Sequence, residues 1–249
     1  MHMKKQSCIN PLPSLTKYIA QSGICSRRRA VELVQERVVL VNNAITIEPG
    51  YRVQPTDVVL VKGEIVHAPK KVYVLLNKPK DYITTLADEK GRKMVTDLLW
   101  PQVKERIYPV GRLDRSTTGV LLLTNDGELT QKLSHPRYEV PKVYHVSLDG
   151  SLKHQDYMAI KEGVRLYDGL VQVDYIEYLQ KKSDIMIEIH NGKNRIIRRL
   201  FEHLGYQVKK LDRVQYAGLT KSGLTVGNWR FLSSAEVSAL QKMNHTNKK

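Results

Sequence analysis

The first quarter of the chain changes from helical to strand-like spacing of its apolar positions. Ser14 is placed to cap a first helix, and Ser26 is placed to cap a second one. The apolar face of the second helix follows the i, i+3, i+4 pattern at Ala30, Leu33 and Val34. Short alternating runs then predict two β-hairpins, one around Asn42-Asn43 and one around Lys62-Gly63. Residues 14–67 are therefore expected to form a small αα-β unit.

A longer stretch dominated by strand-like patterns follows a linker at 68–71. Apolar and alternating runs predict strands at 72–76, 120–124, 143–148, 170–178 and 184–190. A helix is predicted over 195–204, where Gly205 ends it, and a last short strand and helix over 206–243. Because strands outnumber helices and lie in consecutive runs, the pattern favours an α+β fold with a mixed, largely antiparallel sheet. We place this second domain at 70–243.

Composition adds a strong positive charge to this picture. The 249 residues carry 40 Lys and Arg against 25 Asp and Glu, a formal net charge of +15. Such an excess favours a polyanionic partner, above all a nucleic acid. With 41% hydrophobic residues the chain can bury a core, which excludes a disordered polycation. The alternative is a protein that is merely basic and soluble.

No segment of the sequence predicts contact with a membrane. No apolar run approaches the roughly 18 residues of a membrane-spanning helix. Near the start, Asn10, Pro11 and Pro13 interrupt any apolar stretch of a signal peptide. We therefore expect a cytoplasmic protein.

The common cofactor and metal motifs are missing from the sequence. Cys8 and Cys25 are the two cysteines, so there is neither a disulfide framework nor a closely spaced metal-binding pair. The eight histidines show no metal-ligand spacing, and no phosphate-binding or dinucleotide-binding glycine motif occurs. Nothing in the sequence suggests zinc, ATP or a dinucleotide.

Two predicted helices carry clusters of arginine close to their amino-terminal ends. The first turn of the second helix holds Arg27, Arg28 and Arg29. One face of the 195–204 helix holds Arg195, Arg198 and Arg199. The opposite face is an apolar stripe of Ile197, Leu200, Phe201 and Leu204. Because the helix dipole favours anions at this end, such clusters suit an external phosphate. The alternative is a solvated basic face.

A lone carboxylate, Asp114, lies between Arg112 and Arg115 on a loop bounded by Gly111 and Gly119. Nearby opposite charges keep such a carboxylate ionised, as a nucleophile or a base needs to be. On these residues alone, an equal alternative is a structural Asp that caps the Ser/Thr turn after it.

Tyr144 lies in the predicted strand at 143–148. Alternation along this strand puts Tyr144, Val146 and Leu148 on one face. A buried core tyrosine is the ordinary explanation of that pattern.

Two parts of the chain resemble known families. The run from Leu15 to Arg29 is similar to the S4-type RNA-binding domain. The run Gly-Arg-Leu-Asp-Arg-Ser-Thr-Thr-Gly at 111–119 resembles the catalytic motif of pseudouridine synthases, in the RsuA/RluB branch that modifies ribosomal RNA. Other landmarks of that family are similar at Asn77-Lys78-Pro79, Lys142-Val143-Tyr144, 192–199 and 227–230. The likeness spans about residues 14 to 240.

The resemblance implies an enzyme that isomerises one uridine of ribosomal RNA to pseudouridine without a cofactor or a metal. It implies Asp114 as nucleophile or base at the sugar, Arg198 as its ion-pair partner, and Tyr144 as the ring that stacks on the flipped uracil. Further basic residues are expected to bind RNA: Arg27, Arg28, Arg29, Arg112, Arg115, Lys142, Lys193, Arg195 and Arg199. The family commonly has Glu and Gln where Asn191 and Ile196 stand, so we carry over no polar role for these two positions.

The resemblance also bears on the substrate. The run from Leu133 to Pro136 is closer to the large-subunit branch, so we expect 23S rather than 16S ribosomal RNA as the substrate. Separately, we expect the protein to be a monomer. A non-catalytic RNA-binding or ribosome-assembly factor is the alternative, and it leaves Asp114, Tyr144 and Arg198 unexplained. A glycosidase would need two carboxylates flanking the bond, and the motif offers one.

Overall fold

The structure is a computed structural model that describes residues 12–67 and 69–243. The chain divides into two compact units, one ending at Lys70 and the other beginning at Lys71. Each unit has a hydrophobic core of its own. Cys8 and one residue of the predicted linker, Ala68, lie outside the described residues.

The first unit packs two helices against a small antiparallel sheet. Its elements are α1 (Leu15–Gln21), α2 (Arg27–Gln35), β1 (Val39–Val41), β2 (Ala44–Ile45), β3 (Val59–Val61) and β4 (Glu64–Ile65). The strands lie in the order β2-β1-β3-β4. The Ser14 hydroxyl accepts a hydrogen bond from the Lys17 amide, and the Ser26 hydroxyl accepts one from the Arg29 amide. Both predicted helix caps are therefore confirmed.

The second unit is built on one large sheet with helices on both faces. Its strands are β5 (Tyr73–Lys78), β6 (Tyr108–Pro109), β7 (Thr118–Thr124), β8 (Lys142–Leu148), β9 (Val164–Leu166), β10 (Gly169–Val171), β11 (Tyr175–Tyr178), β12 (Asp184–Ile189), β13 (Val208–Tyr216), β14 (Leu219–Thr220) and β15 (Trp229–Phe231). Its α-helices are α3 (Gly127–Ser134), α4 (His154–Glu162), α5 (Ile196–His203) and α6 (Ser234–Lys242), and two short 3₁₀ helices span Val95–Leu98 and Pro136–Tyr138.

The large sheet is mixed but mostly antiparallel. Seven strands run in the order β11-β12-β8-β13-β7-β5-β15, with β14 beside β13 and β6 beside β7. The pairing of β13 with β7 is parallel, and the other pairs of this sheet are antiparallel. The predicted α+β class with a largely antiparallel sheet is therefore confirmed.

The contact between β13 and β7 depends on Gly119. Its φ is +104°, and a Cβ at this position would lie 2.1 Å from the Arg213 carbonyl oxygen. No side chain fits so short a gap, so the glycine that ends the 111–119 loop allows the two backbones to meet.

The central strands are buried on both faces. In β5 and β7, one core contains Leu76, Leu121 and Leu123, and the other contains Leu75, Val120 and Leu122. Helices α4 and α5 contribute to the first core, and α3 and α6 contribute to the second. Burial on both faces explains why these strands have continuous apolar runs in the sequence. None of the helices within the described ranges is long and apolar enough to cross a membrane.

The predicted single strand at 170–178 is wrong. Its first part, β10, forms a separate two-stranded hairpin with β9, whereas β11 pairs with β12 at the edge of the large sheet. An apolar run does not specify which partner each half will pair with. Helix α4 was not predicted because Ile160 is its one buried residue, which leaves almost no amphipathic signal. The strand after Gly205 has nine residues and is not short.

Candidate active site

A cleft of about 630 Å³ lies in the second unit. It is bordered by the loop before β7, the start of β8, the loop before α5 and part of β13. It collects polar residues that are far apart in the sequence: Arg112, Asp114, Arg115, Lys142, Tyr144, Lys193, Arg195 and Arg213. The structure thus brings most of the site residues predicted for this unit to one cavity.

The backbone of the Asp114 loop is bound from inside the sheet by Lys78. This side chain is fully buried, and its Nζ donates to the carbonyl oxygens of Thr117 at 2.8 Å and Asp114 at 3.2 Å. It also donates to the Pro79 carbonyl at 3.0 Å. Burial lowers the pKa of Lys78 to about 8, although the negative charge of Asp114 opposes this shift. Sequence reasoning noted Lys78 as a family landmark but gave it no role.

The Asp114 carboxylate faces two guanidinium groups. Its Oδ2 lies 3.6 Å from Nη1 of Arg195 and 4.0 Å from Nε of Arg198. About one third of the Asp114 side chain is exposed to the cleft and solvent. Both guanidinium groups are therefore close enough to attract the carboxylate. Arg195, which was expected to bind phosphate, is the nearer of the two.

Arg198 is buried, so the alternative of a solvated basic face does not hold for this residue. Its Nη1 donates to the Val208 carbonyl at 3.0 Å and its Nη2 to the Ser116 hydroxyl at 3.1 Å. Its buried Nε has no hydrogen-bond partner among the described residues and lies at the 4.0 Å distance from Asp114. Burial and the neighbouring Arg195 lower the pKa of Arg198 from its usual value. Helical spacing alone could not show this, because residue 198 borders the apolar stripe.

Tyr144 lies in β8, where it is buried together with Val146 and Leu148. The predicted alternation along this strand is therefore confirmed. The residue belongs to the core and also lines the cleft. Its ring is thus rigidly packed on the core side and available on the cleft side.

Lys142, a half-buried cation, lies two residues before Tyr144 in β8. Lys142 Nζ donates to the carbonyls of Val140 at 2.6 Å and His190 at 2.8 Å. Burial and the charge of Arg213 lower the pKa of Lys142 to about 8. Lys142, expected to bind RNA, thus has two carbonyl partners within the protein.

Arg213 is a cleft residue to which the sequence pattern gave no individual role. It pairs with Tyr144 across β13 and β8, and its Nε donates to the Val120 carbonyl at 2.8 Å. Its guanidinium lies 4.5 Å from the centre of the Tyr216 ring. Its position in an alternating strand was the available signal, but such a pattern does not reveal a cleft.

Several of the other predicted RNA-binding residues have acidic partners within the protein. Arg29 pairs with Glu32 at 2.8 Å and Glu36 at 2.7 Å. Arg115 pairs with Asp81 at 3.0 Å, and both side chains are exposed. Four further arginines of the predicted set are exposed: Arg27, Arg28, Arg112 and Arg195.

Lys193 and Arg199 share one acidic partner, Asp168. Lys193 Nζ donates to the Asp168 carbonyl at 2.6 Å, and Arg199 Nη2 donates to its carboxylate at 3.0 Å. A phosphate at either side chain would compete with these contacts. The sequence did not reveal the pairing because Asp168 lies in a hairpin that was not predicted.

A second carboxylate, Asp88, also lines the cleft. It accepts hydrogen bonds from Nη2 of Arg92 at 2.5 Å and from its amide at 2.7 Å. Hydrogen bonds from Arg92 lower the pKa of Asp88 to about 2, so this carboxyl is ionised at neutral pH and cannot act as a general acid. The arrangement offers one carboxylate, Asp114, in the same cleft as an aromatic ring, and does not suit a two-carboxyl glycosidase. No cluster of metal-ligating side chains occurs in the described part of the chain.

Both units match known protein families. Residues 72–203 match the family described as RNA pseudouridylate synthase, and residues 15–59 match the S4 domain. The chain is 41% identical over 234 residues to ribosomal large subunit pseudouridine synthase B of Bacillus subtilis (strain 168), covering 92% of this chain and 96% of that protein. It is 36% identical over 233 residues to an uncharacterized RNA pseudouridine synthase of Aquifex aeolicus (strain VF5), covering 92% and 93% of the two chains.

The fold is shared with a solved structure as well. A crystal structure of pseudouridylate synthase matches with a TM-score of 0.66 over 91% of this chain and 99% of that chain, at 24% identity. The large mixed sheet that carries the cleft is therefore a known architecture.

Proposed function

Because the chain belongs to the RNA pseudouridylate synthase family, we propose that it isomerises one uridine of ribosomal RNA with Asp114 as the reacting carboxylate. Both resemblances found in the sequence, to that family and to the S4-type domain, are confirmed, and the chain is a pseudouridine synthase. The proposal adds the substrate and the residues that act on it.

One observation carries the assignment of Asp114. It is a partly exposed carboxylate whose oxygen lies within 4.0 Å of two guanidinium groups, in the same cleft as the Tyr144 ring. The two guanidinium groups supply positive charge next to the oxygen that acts as nucleophile or base. The ring offers an apolar surface on which a uracil can stack once it leaves its helix.

In the proposed reaction, the carboxylate, the two guanidinium groups and the aromatic ring each have a role. The bond between uracil N1 and C1′ of the ribose breaks, the base turns, and a new bond joins its C5 to C1′. The C5 proton leaves and N1 takes up a proton, so that the product is an isomer of uridine. Asp114 acts on the sugar as nucleophile or base, Arg198 and Arg195 hold its charge, and Tyr144 holds the base. Flipping the nucleotide costs a few kcal/mol, which stacking and phosphate contacts offset.

The domain roles follow from the same proposal. Residues 14–67 act as the RNA-binding domain and residues 70–243 as the catalytic domain. The match of residues 15–59 to the S4 domain supports the first assignment. The second is supported by the cleft, since all its lining residues lie between Ile83 and Tyr216.

The substrate is proposed to be large-subunit ribosomal RNA. The name of the Bacillus subtilis relative, a ribosomal large subunit pseudouridine synthase, supports this, together with the 92% of this chain that the match covers. The run from Leu133 to Pro136, which resembles the large-subunit branch, also favours large-subunit RNA.

Replacement of Asp114 by Asn is the sharpest test. The wild-type chain should release tritium from 23S RNA transcribed with uridine labelled at C5, whereas Asp114→Asn should release none and still bind the RNA. The amide is nearly isosteric but cannot act as a nucleophile or base. Asp88→Asn, which removes the other cleft carboxylate, is the matched control and should retain most of the turnover.

Each part of the proposal has its own contradicting result. Residual turnover of Asp114→Asn within about tenfold of wild type would overturn the role of Asp114. Release from 16S but not 23S transcripts would overturn the choice of subunit. If neither RNA released tritium but both were bound, the alternative of a non-catalytic ribosome-assembly factor would replace the enzyme.

A further inference from the structure

An aromatic side chain outside the cleft, Tyr167, is almost completely exposed. Its relative accessibility is 90%, compared with 69% for Trp100, the next most exposed aromatic side chain of the described residues. Tyr167 lies at the turn of the β9–β10 hairpin, where small and polar residues are more usual. Burial in the core therefore does not explain a tyrosine at this position.

The hairpin turn is fixed to the edge of the cleft through Asp168. The Asp168 carboxylate lies 2.9 Å and 3.0 Å from the two terminal nitrogens of Arg199, and its carbonyl accepts from Lys193 at 2.6 Å. Arg199 Nε also donates to the Asn194 carbonyl at 2.8 Å. Since Lys193 and Asn194 line the cleft, these contacts hold the turn beside the segment that carries Arg195.

The Tyr167 ring lies against the guanidinium of Arg199, and a surface depression adjoins it. The Arg199 guanidinium carbon lies 5.0 Å from the ring centre, within the range of a cation–π contact. A depression of about 390 Å³ adjoins the ring and is lined by Leu166, Tyr167, Arg199, Glu202 and His203. Its volume lies at the small end of the roughly 300–1,000 Å³ of ligand pockets, so it has room for a single nucleobase.

We propose that Tyr167 is a second base-stacking site, which binds an unpaired nucleotide of the RNA near the uridine that enters the cleft. This inference rests on the proposed function. An exposed aromatic ring that is held in place by cationic side chains is an arrangement with which proteins bind single-stranded RNA, because the ring stacks on a base. On this proposal Lys193 and Arg199 serve RNA binding indirectly, by holding the hairpin and the ring in place.

The chemistry of the site favours RNA over a protein partner. Protein docking sites usually present a contiguous apolar patch, whereas here one exposed aromatic ring lies against the Arg199 guanidinium. The excess of 15 positive charges on the chain points the same way.

The test compares Tyr167→Ala, Tyr167→Phe and the control Trp100→Ala in the full-length chain. Single-turnover tritium release from C5-labelled 23S transcript gives the rate at saturation and the half-saturating enzyme concentration, and thermal unfolding is followed beside it. Tyr167→Ala should raise the half-saturating concentration roughly 5- to 150-fold, the equivalent of losing about 1–3 kcal/mol of base–aromatic stacking. The saturated rate should change little, because the contact is made equally before and during the reaction. Tyr167→Phe should behave like wild type.

The control and the melting curves separate stacking from folding. Trp100 is exposed, and no residue from 95 to 109 lines the cleft, so Trp100→Ala should leave RNA affinity unchanged. All three variants should melt within the wild-type range, since the replaced side chains are exposed.

Failure of this inference differs from failure of the proposed function. If wild type releases tritium and Tyr167→Ala matches it in affinity and rate, the stacking site is refuted and the enzyme stands. If Tyr167→Ala weakens binding to assembled ribosomal particles but not to naked 23S transcript, the ring contacts a protein and the RNA site is refuted. If wild type releases no tritium from 23S or 16S transcripts, the proposed function fails, and this inference fails with it.

Discussion

Three positively charged side chains contact Asp114 or the backbone of its loop, and they differ in how far they are buried. Lys78 binds the carbonyls of its loop from within the sheet, while Arg195 and Arg198 approach the carboxylate. A protonated lysine has three N–H donors and a neutral one has two. The geometry of the loop therefore depends on the protonation of Lys78.

We expect kcat/KM to fall as the pH rises through about 8, the value to which burial lowers the pKa of Lys78. Loss of the proton removes one donor from the loop carbonyls and removes a positive charge near Asp114. The measurement is tritium release across about pH 6 to 10. Unfolding would not explain the fall, because the folded pKa lies below the ordinary 10.5 of lysine. The unfolded chain then binds the extra proton between these values, so this group's contribution to stability rises with pH.

Two variants identify the group responsible for that fall. Lys142 also has a pKa near 8, so Lys142→Met should retain the fall if Lys78 causes it. Lys78→Met should show a low rate that no longer changes near pH 8. A fall that disappears in Lys142→Met and persists in Lys78→Met would contradict the assignment.

Tyr144 contributes both to the core and to the cleft, and two variants separate these roles. Tyr144→Phe keeps the ring and should bind RNA like wild type. Tyr144→Leu should lose about 1–3 kcal/mol of base stacking and turn over poorly even under conditions where it is fully folded. Thermal unfolding and single-turnover tritium release are measured together. A Leu variant that melts early but is fully active when folded would make Tyr144 a core residue alone.

The sequence predicted the local position of Tyr144, because strand alternation put it on one face with Val146 and Leu148, and the structure confirms that position. The roles of Asp114 and Tyr144 in the reaction came from the family resemblance and stay predictions. Lys78 and Arg213 could not be assigned, because their surroundings come from strands that are paired only in the folded sheet. Asp168 neutralises Lys193 and Arg199 from 25 and 31 residues away, and no local pattern reveals such a pairing.

At the scale of single elements, α2 presents its three arginines unequally. Arg29 is held by Glu32 and Glu36 on the same helix, while Arg27 and Arg28 are exposed. The first turn of a helix is an anion site, so the two exposed side chains are the ones placed for phosphate. The sequence showed the cluster but not this division, which depends on side-chain direction.

We expect the double variant Arg27→Ala, Arg28→Ala to lower RNA affinity and to reduce the slope of log K against log salt by about 1.4 to 1.8. Each phosphate contact contributes roughly 0.7 to 0.9 to that slope. Binding to 23S transcript is measured over a series of salt concentrations, with Arg29→Ala as the matched control. Arg29→Ala should change the slope less, and the reverse order of the two effects would refute the unequal roles.

At the scale of the whole molecule, the proposed domain roles assign RNA affinity to the first unit and the chemistry to the second. The first unit has its own core, which includes Leu15, Ile19 and Val59, and the cleft lies entirely in the second. A chain of residues 71–249 should therefore fold, release tritium at high RNA concentration, and bind ribosomal RNA more weakly with a flatter salt dependence. An unchanged salt slope would show that residues 14–67 do not supply phosphate contacts.

The order of the strands in the large sheet has a consequence for biosynthesis. Asp114 immediately precedes β7 and Tyr144 lies in β8, but β13 lies between these two strands in the sheet. A nascent chain that has not yet reached Val208–Tyr216 lacks the strand that joins the two halves. The parallel pairing of Asp212 with Thr118 closes a loop of more than 90 residues, and contacts of such long range form slowly. We therefore expect catalytic competence to appear late in translation, once β13 is available to pair with both β8 and β7.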